Sequence, residues 1–153
     1  MAITIQSTYL TDYAAGFPGM LADGNVTNRP SGIVQDAAGI AFGIATFQSG
    51  STDGKAITAT PGTKFKGVTI ATAGAVASLT GVVDTYAQYA TASLCDMGDI
   101  WVTASGTTTP GAAVYVTSAG AFTATSAGNT AIPATFIDAA ANGAPVRIRI
   151  VQQ

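Results

Sequence analysis

The sequence predicts an all-β protein, because apolar and polar side chains alternate with a period of two and turn residues separate the alternating runs. Residues 100–104 alternate between two sets of side chains, as in a strand with two different faces. The polar loop 106–111 ends in Pro110-Gly111, and residues 114–116 begin a strand that returns. The same succession of short strands and turns continues along the chain. It predicts a single small β-barrel or a jelly-roll-like sandwich.

Residues 1–37 differ from the rest and predict an extended, partly irregular N-terminal arm, which leaves residues 38–153 as the barrel domain. Tyr9, Tyr13 and Phe17 are spaced four apart, but a glycine and a proline beside Phe17 end any helix within about a turn. The segment offers too little regular structure to bury these aromatic side chains locally. We therefore expect them to lie at an interface.

Beyond the arm, the first strands are predicted in order. The strongly apolar run 39–47 reads as one strand, and Asp53-Gly54 suits a tight turn before a short strand over 55–59. Residues 65–71 form the next strand, in which Gly67 marks a bulge or close packing.

The later strands follow the same pattern. Residues 85–90 alternate imperfectly, a short strand surrounds Phe122, and 132–137 reads as a strand with a proline near its start. Asn142-Gly143 favours a hairpin turn. Residues 146–151 show the cleanest alternation, which predicts a buried apolar face and an exposed arginine face.

The composition argues against most kinds of catalytic site. Only 9% of the residues are charged, compared with about 25% in a typical domain, and the chain has no His, no Glu and one cysteine, Cys95. No His-based nucleophile pair and no Cys/His zinc site can be built from this set. The glycines form no phosphate-binding loop. We predict a protein that is not an enzyme and carries no cofactor.

Charge and hydropathy also restrict the partners. The net charge is −2 and the six basic residues are scattered, so the basic stripe of a nucleic-acid binder is missing. Residues 100–137 carry no charge, but they are rich in Gly, Thr, Ser and Pro and lack the run of about 20 apolar residues that a spanning helix needs. A surface with so little charge favours association and suits a protein inside an assembly.

Several residues have both a structural and a functional interpretation. Most of the aspartates lie near a glycine and are expected to be turn residues, including Asp23, Asp53, Asp96 and Asp99. The last two lack the ligand density of a calcium loop. Cys95 is expected to be a small buried hydrophobe and Trp101 a core residue. Lys64 and Lys66 project to one face of their strand, either as a solvated edge or as an ionic contact to a partner.

The order of these segments resembles the structural cement (capsid decoration) proteins of tailed bacteriophages. No single segment is specific, but the ordered set spans nearly the whole chain. The matching segments are 13–19 with Ala22-Asp23, 39–43, 65–69, Tyr86 and Tyr89, 98–102, Pro110-Gly111, 114–116, 132–134 and 141–143.

The resemblance implies a non-enzymatic β-barrel or jelly roll on the outer capsid surface of the virion. Such proteins commonly form homotrimers, bridge subunits of the major capsid protein and reach neighbours with their N-terminal segments. The candidate capsid contacts are then Tyr9, Tyr13, Phe17 and Arg29, with no catalytic, cofactor or metal residue, no direct nucleic acid and no membrane.

Two other functions remain open from the sequence. A carbohydrate-binding or adhesion module on a virion would need a cleft with exposed aromatic residues on the barrel. A hydrolase that depends on Asp would need two carboxylates within about 5–10 Å in a pocket.

Overall fold

The computed structural model describes residues 15–50, 52–72 and 84–151, and within these ranges the chain forms twelve β-strands. The all-β prediction is confirmed. None of the described residues belongs to a helix long and apolar enough to cross a bilayer. The strands are β1 (Ser31–Val34), β2 (Ile40–Ala41), β3 (Ala45–Gln48), β4 (Ala56–Thr58), β5 (Phe65–Thr69), β6 (Thr85–Tyr86), β7 (Thr91–Cys95), β8 (Gly98–Thr103), β9 (Ala113–Val116), β10 (Phe122–Thr123), β11 (Thr130–Phe136) and β12 (Pro145–Ile150).

Five strands close into a barrel in the order β1-β4-β3-β5-β7, with β7 pairing back onto β1. All the pairs are antiparallel except β1 with β4. Gly67 lies where the register between β3 and β5 shifts, as the predicted bulge requires. Its φ is 134°, and a Cβ there would lie 2.7 Å from the carbonyl oxygen of Cys95. Closure matters because it leaves this sheet without an edge at which another chain could pair.

A second sheet has the order β10-β9-β11-β12-β8. The predicted hairpin around Asn142-Gly143 is confirmed as the connection between the antiparallel strands β11 and β12. The strand that was expected to return from β8 does not pair with it: β8 pairs with β12, while β9 pairs with β10 and β11. An isolated parallel bridge between Ala104 and Phe122 also brings the two ends of the sheet together.

The single strand predicted over 39–47 is wrong, because the chain turns at Phe42-Gly43. Gly43 has a φ of 68°, and its amide donates to the carbonyl of Thr69 (2.9 Å). The two halves consequently join different sheets. β2 pairs with β6 in a small two-stranded sheet, whereas β3 is a strand of the barrel.

The barrel and the second sheet share one hydrophobic core. Its largest cluster combines Phe47, Val68 and Cys95 from barrel strands with alternate residues of the second sheet, such as Ile100 and Ile148. A smaller cluster joins the barrel to the two-stranded sheet. The period of two in β12 places its apolar side chains in this core, so the buried face predicted for 146–151 is confirmed. The buried state expected for Cys95 is also confirmed.

Residues 15–30, which we call the strap, run antiparallel along the edge of β8 that β12 leaves free, and then enter β1. The strap is also fixed to the barrel, since the amide of Ala71 donates to the carbonyl of Gly19 (2.8 Å). The barrel thus begins at Ser31, inside the residues assigned to the arm. The strap is hydrogen-bonded to β8 and the bend before it through Gly19 N to Trp101 O (2.8 Å), Trp101 N to Met20 O (2.8 Å), Ala22 N to Asp99 O (2.9 Å) and Asn28 N to Met97 O (3.1 Å).

Gly19 packs closely against the barrel, which makes it a test of the strap's contribution to stability. Its φ is 85°, and a Cβ there would lie 2.8 Å from the amide nitrogen of Ala71. We expect Gly19→Ala to lower the free energy of unfolding by about 1–3 kcal/mol, measured by urea denaturation. Gly24→Ala is the matched control, because a Cβ there meets nothing within 4 Å. Equal destabilisation by both substitutions would show that close packing at Gly19 is unimportant.

Candidate interaction surface

The outer face of β8 and β12 carries two pairs of facing side chains. The register sets Trp101 opposite Arg147 and Asp99 opposite Arg149. The Arg147 guanidinium lies 5.7 Å from the centre of the Trp101 ring. Gly16 of the strap also packs on that ring, since a Cβ at Gly16 would lie 2.5 Å from ring atoms. The prediction of Trp101 as a core residue is therefore wrong: it is half-buried outside the core, because the alternation of β8 directs its neighbours inward.

Asp99 is a buried carboxylate, and both of its oxygens accept hydrogen bonds from Arg149. Arg149 Nε donates to Oδ1 (2.8 Å) and Nη2 donates to Oδ2 (2.7 Å). These hydrogen bonds hold the pKa of the Asp99 carboxyl below its usual range, against the opposite effect of burial. The interpretation of Asp99 as a turn residue is wrong, since it lies within β8. Its occupied oxygens also speak against a calcium ligand.

Asp138 forms the second bidentate ion pair of this face, with Arg147. Arg147 donates from Nε and Nη2 at 2.6 and 2.7 Å. The pKa of the Asp138 carboxyl is lowered by these hydrogen bonds. Both arginines predicted as an exposed face are therefore committed to carboxylates, which orders the surface beside the strap.

Two of the other aspartates are turn residues as predicted. Asp23 Oδ1 accepts from the amide of Asn25 (3.0 Å), and Asp53 Oδ1 accepts from the amide of Lys55 (2.8 Å). Among the residues of the described ranges, no group of three or more His, Cys, Asp or Glu side chains could hold a metal ion.

The Cys95 thiol is not prepared for nucleophilic chemistry. Burial raises its pKa to about 11, and the thiol donates to the carbonyl of Met97 (3.3 Å). With that pKa the side chain is protonated at neutral pH. Because the thiolate is the reactive form of cysteine, the thiol is a poor nucleophile.

Large apolar side chains are exposed along the strap. Phe17, Met20 and Val26 are 57, 38 and 80% exposed, although the backbone between them is hydrogen-bonded to β8. Val151, at the end of β12, is 59% exposed and lines an open groove of about 440 Å³ together with Val26. These side chains sit on an anchored backbone, so they form a fixed apolar surface beside the ion pairs.

The four sequence-predicted contact residues fall into two groups. Phe17 and Arg29 both lie in the strap and are exposed, with Arg29 Nε donating to Thr27 Oγ1 (3.4 Å). Tyr9 and Tyr13 lie outside the described residues. Met20, Val26 and Val151 were not predicted as contact residues, because isolated apolar residues near turns carry no signal of exposure.

Comparison with known proteins identifies a family and a solved structure with a similar fold. The family model described as "Structural cement protein (E217 gp24/Pam3 gp6)" matches residues 5–151. A chain of the solved structure described as "The capsid of Myoviridae Phage XM1" is 16% identical, covers 96% of this chain and 97% of its own length, and has a TM-score of 0.65. At that identity the likeness is one of fold. No significant match is found among curated proteins.

The lowered pKa of Asp99 predicts a pH dependence of stability. The ionised carboxylate stabilises the fold above the pKa of an unfolded Asp, about 3.9, and this contribution is lost as the pH falls through the lower folded-state pKa. We expect Asp99→Asn to lower Tm at neutral pH by roughly 2–5 °C and to reduce the further loss of Tm on acidification below about pH 4. Circular dichroism melts across pH would measure both effects.

Asp138→Asn is the matched control for this experiment. Its side chain is 34% exposed, compared with 3% for Asp99, so its ion pair is better screened and a smaller fall of Tm is expected. An Asp99→Asn variant with the wild-type pH dependence would contradict the role given to the Asp99 ion pair.

Proposed function

Because the chain belongs to the phage structural cement protein family, we propose that it stabilises a capsid by bridging neighbouring subunits of the major capsid protein on the outer surface of the virion. The family gives the chain a non-enzymatic structural role in a phage capsid. Bridging, the outer location and assembly as a homotrimer are the parts that we add.

The observation that carries the proposal is the exposed apolar surface of the strap. Phe17 is 57% exposed, yet Gly16 and Gly19 on either side of it are packed against Trp101 and Ala71. Its position is therefore fixed before any partner binds, which reduces the entropy lost on association. Burying such a side chain contributes about 1–2 kcal/mol, and repetition over many symmetric copies raises a modest affinity by avidity.

The strap also fixes where the preceding residues leave the barrel. Residues 1–14 join the described structure at Ala15, next to the strap's contact with Trp101. We propose that Tyr9 and Tyr13 extend the contact that Phe17 begins, and that Arg29 contributes at the other end of the strap. A barrel with an attached contact segment is suited to join two subunits.

The recognition alternative receives less support from the structure. Tyr89 is the exposed aromatic residue of the described barrel, at 69%, and it lines neither the groove beside Val26 nor a second cleft beside Phe65. Phe65 itself is half-buried and packs edge-on against Phe47. A flat aromatic platform for a sugar is not formed there.

A binding experiment with capsids that lack this protein tests the contact surface. We expect Phe17→Ser to weaken binding by about tenfold, because it removes an apolar contact worth about 1.4 kcal/mol. Sedimentation of capsids with labelled protein would measure the affinity. Tyr89→Ser is the matched control, because it removes another exposed aromatic side chain and should bind as the wild type does. Unchanged binding of Phe17→Ser would refute the strap contact.

Truncation tests the contribution of the preceding residues separately. We expect removal of residues 1–14 to leave a folded barrel, because the deletion stops before the hydrogen bonds of Gly19 and Met20 to β8. Binding to the capsid should be lost or severely weakened, measured by the same assay. A truncated protein that decorates capsids to full occupancy would overturn the role proposed for Tyr9 and Tyr13.

The homotrimer is tested by light scattering. We expect the mass of three 15.2 kDa chains, either free in solution or for the bound species released from capsids. A monomer in both states would contradict the trimer and leave capsid binding itself untouched.

A further inference from the structure

A cleft of about 450 Å³ opens where the barrel meets the end of β12. Its wall combines apolar side chains of both sheets, including Phe65 and Val151, with the charged residues Lys55, Lys66 and Asp96. It is distinct from the groove beside Val26, although Val151 contributes to both. The cleft thus offers an apolar floor with charged groups around it.

The unpaired positive charges of the protein gather around this cleft. Arg147 and Arg149 form the two ion pairs found among the described residues. The other four cations have no ion-pair partner within the described ranges. Lys55 and Lys66 line the cleft. Arg29 and Lys64 directly precede the lining residues Pro30 and Phe65.

The carboxylates nearby are too few to balance these cations. Asp96 lines the cleft, and Asp53 lies next to the lining residue Gly54. Among the described residues, the lining of the cleft and its sequence neighbours therefore carry more cationic than anionic side chains, in a chain whose overall charge is −2. Such a local excess of one sign attracts and orients a partner of the opposite sign.

Asp96 is held in the wall of the cleft by the strap. Its Oδ2 accepts from Asn28 Nδ2 (3.1 Å), and its Oδ1 is buried. The lysines and the apolar floor, rather than this carboxylate, are the parts of the wall that a bound segment contacts.

We propose that this cleft receives an acidic, extended segment of a neighbouring capsid subunit. Carboxylates of the segment pair with the ammonium groups of Lys55 and Lys66. The apolar floor around Phe65 accommodates an apolar side chain between the acidic ones. This inference rests on the capsid role proposed above and adds a second, ionic contact to the apolar one of the strap.

The same lysines could attract the phosphates of a nucleic acid, but the cleft suits a peptide better. The apolar floor around Phe65 accommodates an apolar side chain of a peptide but offers nothing to a phosphate. The cluster is also small and offers no exposed aromatic residue for base stacking.

A salt series on the double variant Lys55→Gln, Lys66→Gln tests the proposal. Wild-type protein should bind capsids that lack it with an affinity that falls as NaCl rises from about 50 to 500 mM, because exposed ionic contacts are screened. We expect the double variant to bind about tenfold more weakly at low salt and to show a flatter dependence on salt. Circular dichroism melts would verify that both proteins are folded.

The matched control is Thr107→Asp, Thr109→Asp. It changes the net charge by the same two units on exposed loop residues beyond the far end of β8, since Thr103 pairs with Pro145 whereas Gly98 pairs with Ile150 beside the cleft. This control should bind as the wild type does. A loss equal to that of the lysine variant would mean that overall charge, not the cleft, is responsible.

The remaining outcomes separate this inference from the function on which it rests. If the wild type binds capsids and the lysine variant binds equally well at every salt concentration, the cleft proposal is wrong and the capsid role stands. If the wild type itself fails to bind, the capsid role fails. Binding of a 20-base-pair DNA duplex that is lost in the lysine variant, with capsid binding unchanged, would assign the cleft to nucleic acid instead.

Discussion

The pairing of the strap with the free edge of β8 is the constraint on which the rest of the structure depends. Without residues 15–30, the backbone groups of β8 on that side would be unpaired, and an unpaired edge invites association with other chains. The strap supplies partners to these backbone groups and also accepts a hydrogen bond from Ala71, two residues after the end of β5. It therefore joins the second sheet to the barrel from outside, while the shared core joins them from inside.

This arrangement explains how an irregular segment can present a definite surface. Phe17, Met20 and Val26 remain exposed, but the backbone that carries them is held by β8. The ion pair between Asp99 and Arg149 stabilises the same strand on its outer face. The proposed attachment has an apolar contact at the strap and an ionic contact at the cleft lined by Lys55 and Lys66. Burial of apolar area then contributes affinity, while the charges orient the partner.

Part of the surface could be predicted from the residues and part could not. Phe17 was identified because its aromatic neighbours lie among helix and strand breakers, and it is exposed as that reasoning requires. Trp101 was misassigned because alternation fixes two faces of a strand without saying which one is covered by the core. Asp99 was misassigned because its glycine neighbour suggests a turn, whereas the partner that retains it in a strand, Arg149, is distant in sequence.

The sequence by itself determined the all-β class, the positions of most strands and the cement protein family, because period-two alternation, turn residues and their order along the chain are local properties. The tertiary structure alone decided which strands pair. β8 pairs with β12 and not with β9, which follows it in the chain. The run 39–47 is divided by a turn at Gly43, and the strap pairs with the free edge of β8. The physical reason is that pairing depends on complementary edges and a common core, and these are formed by residues far apart in the chain.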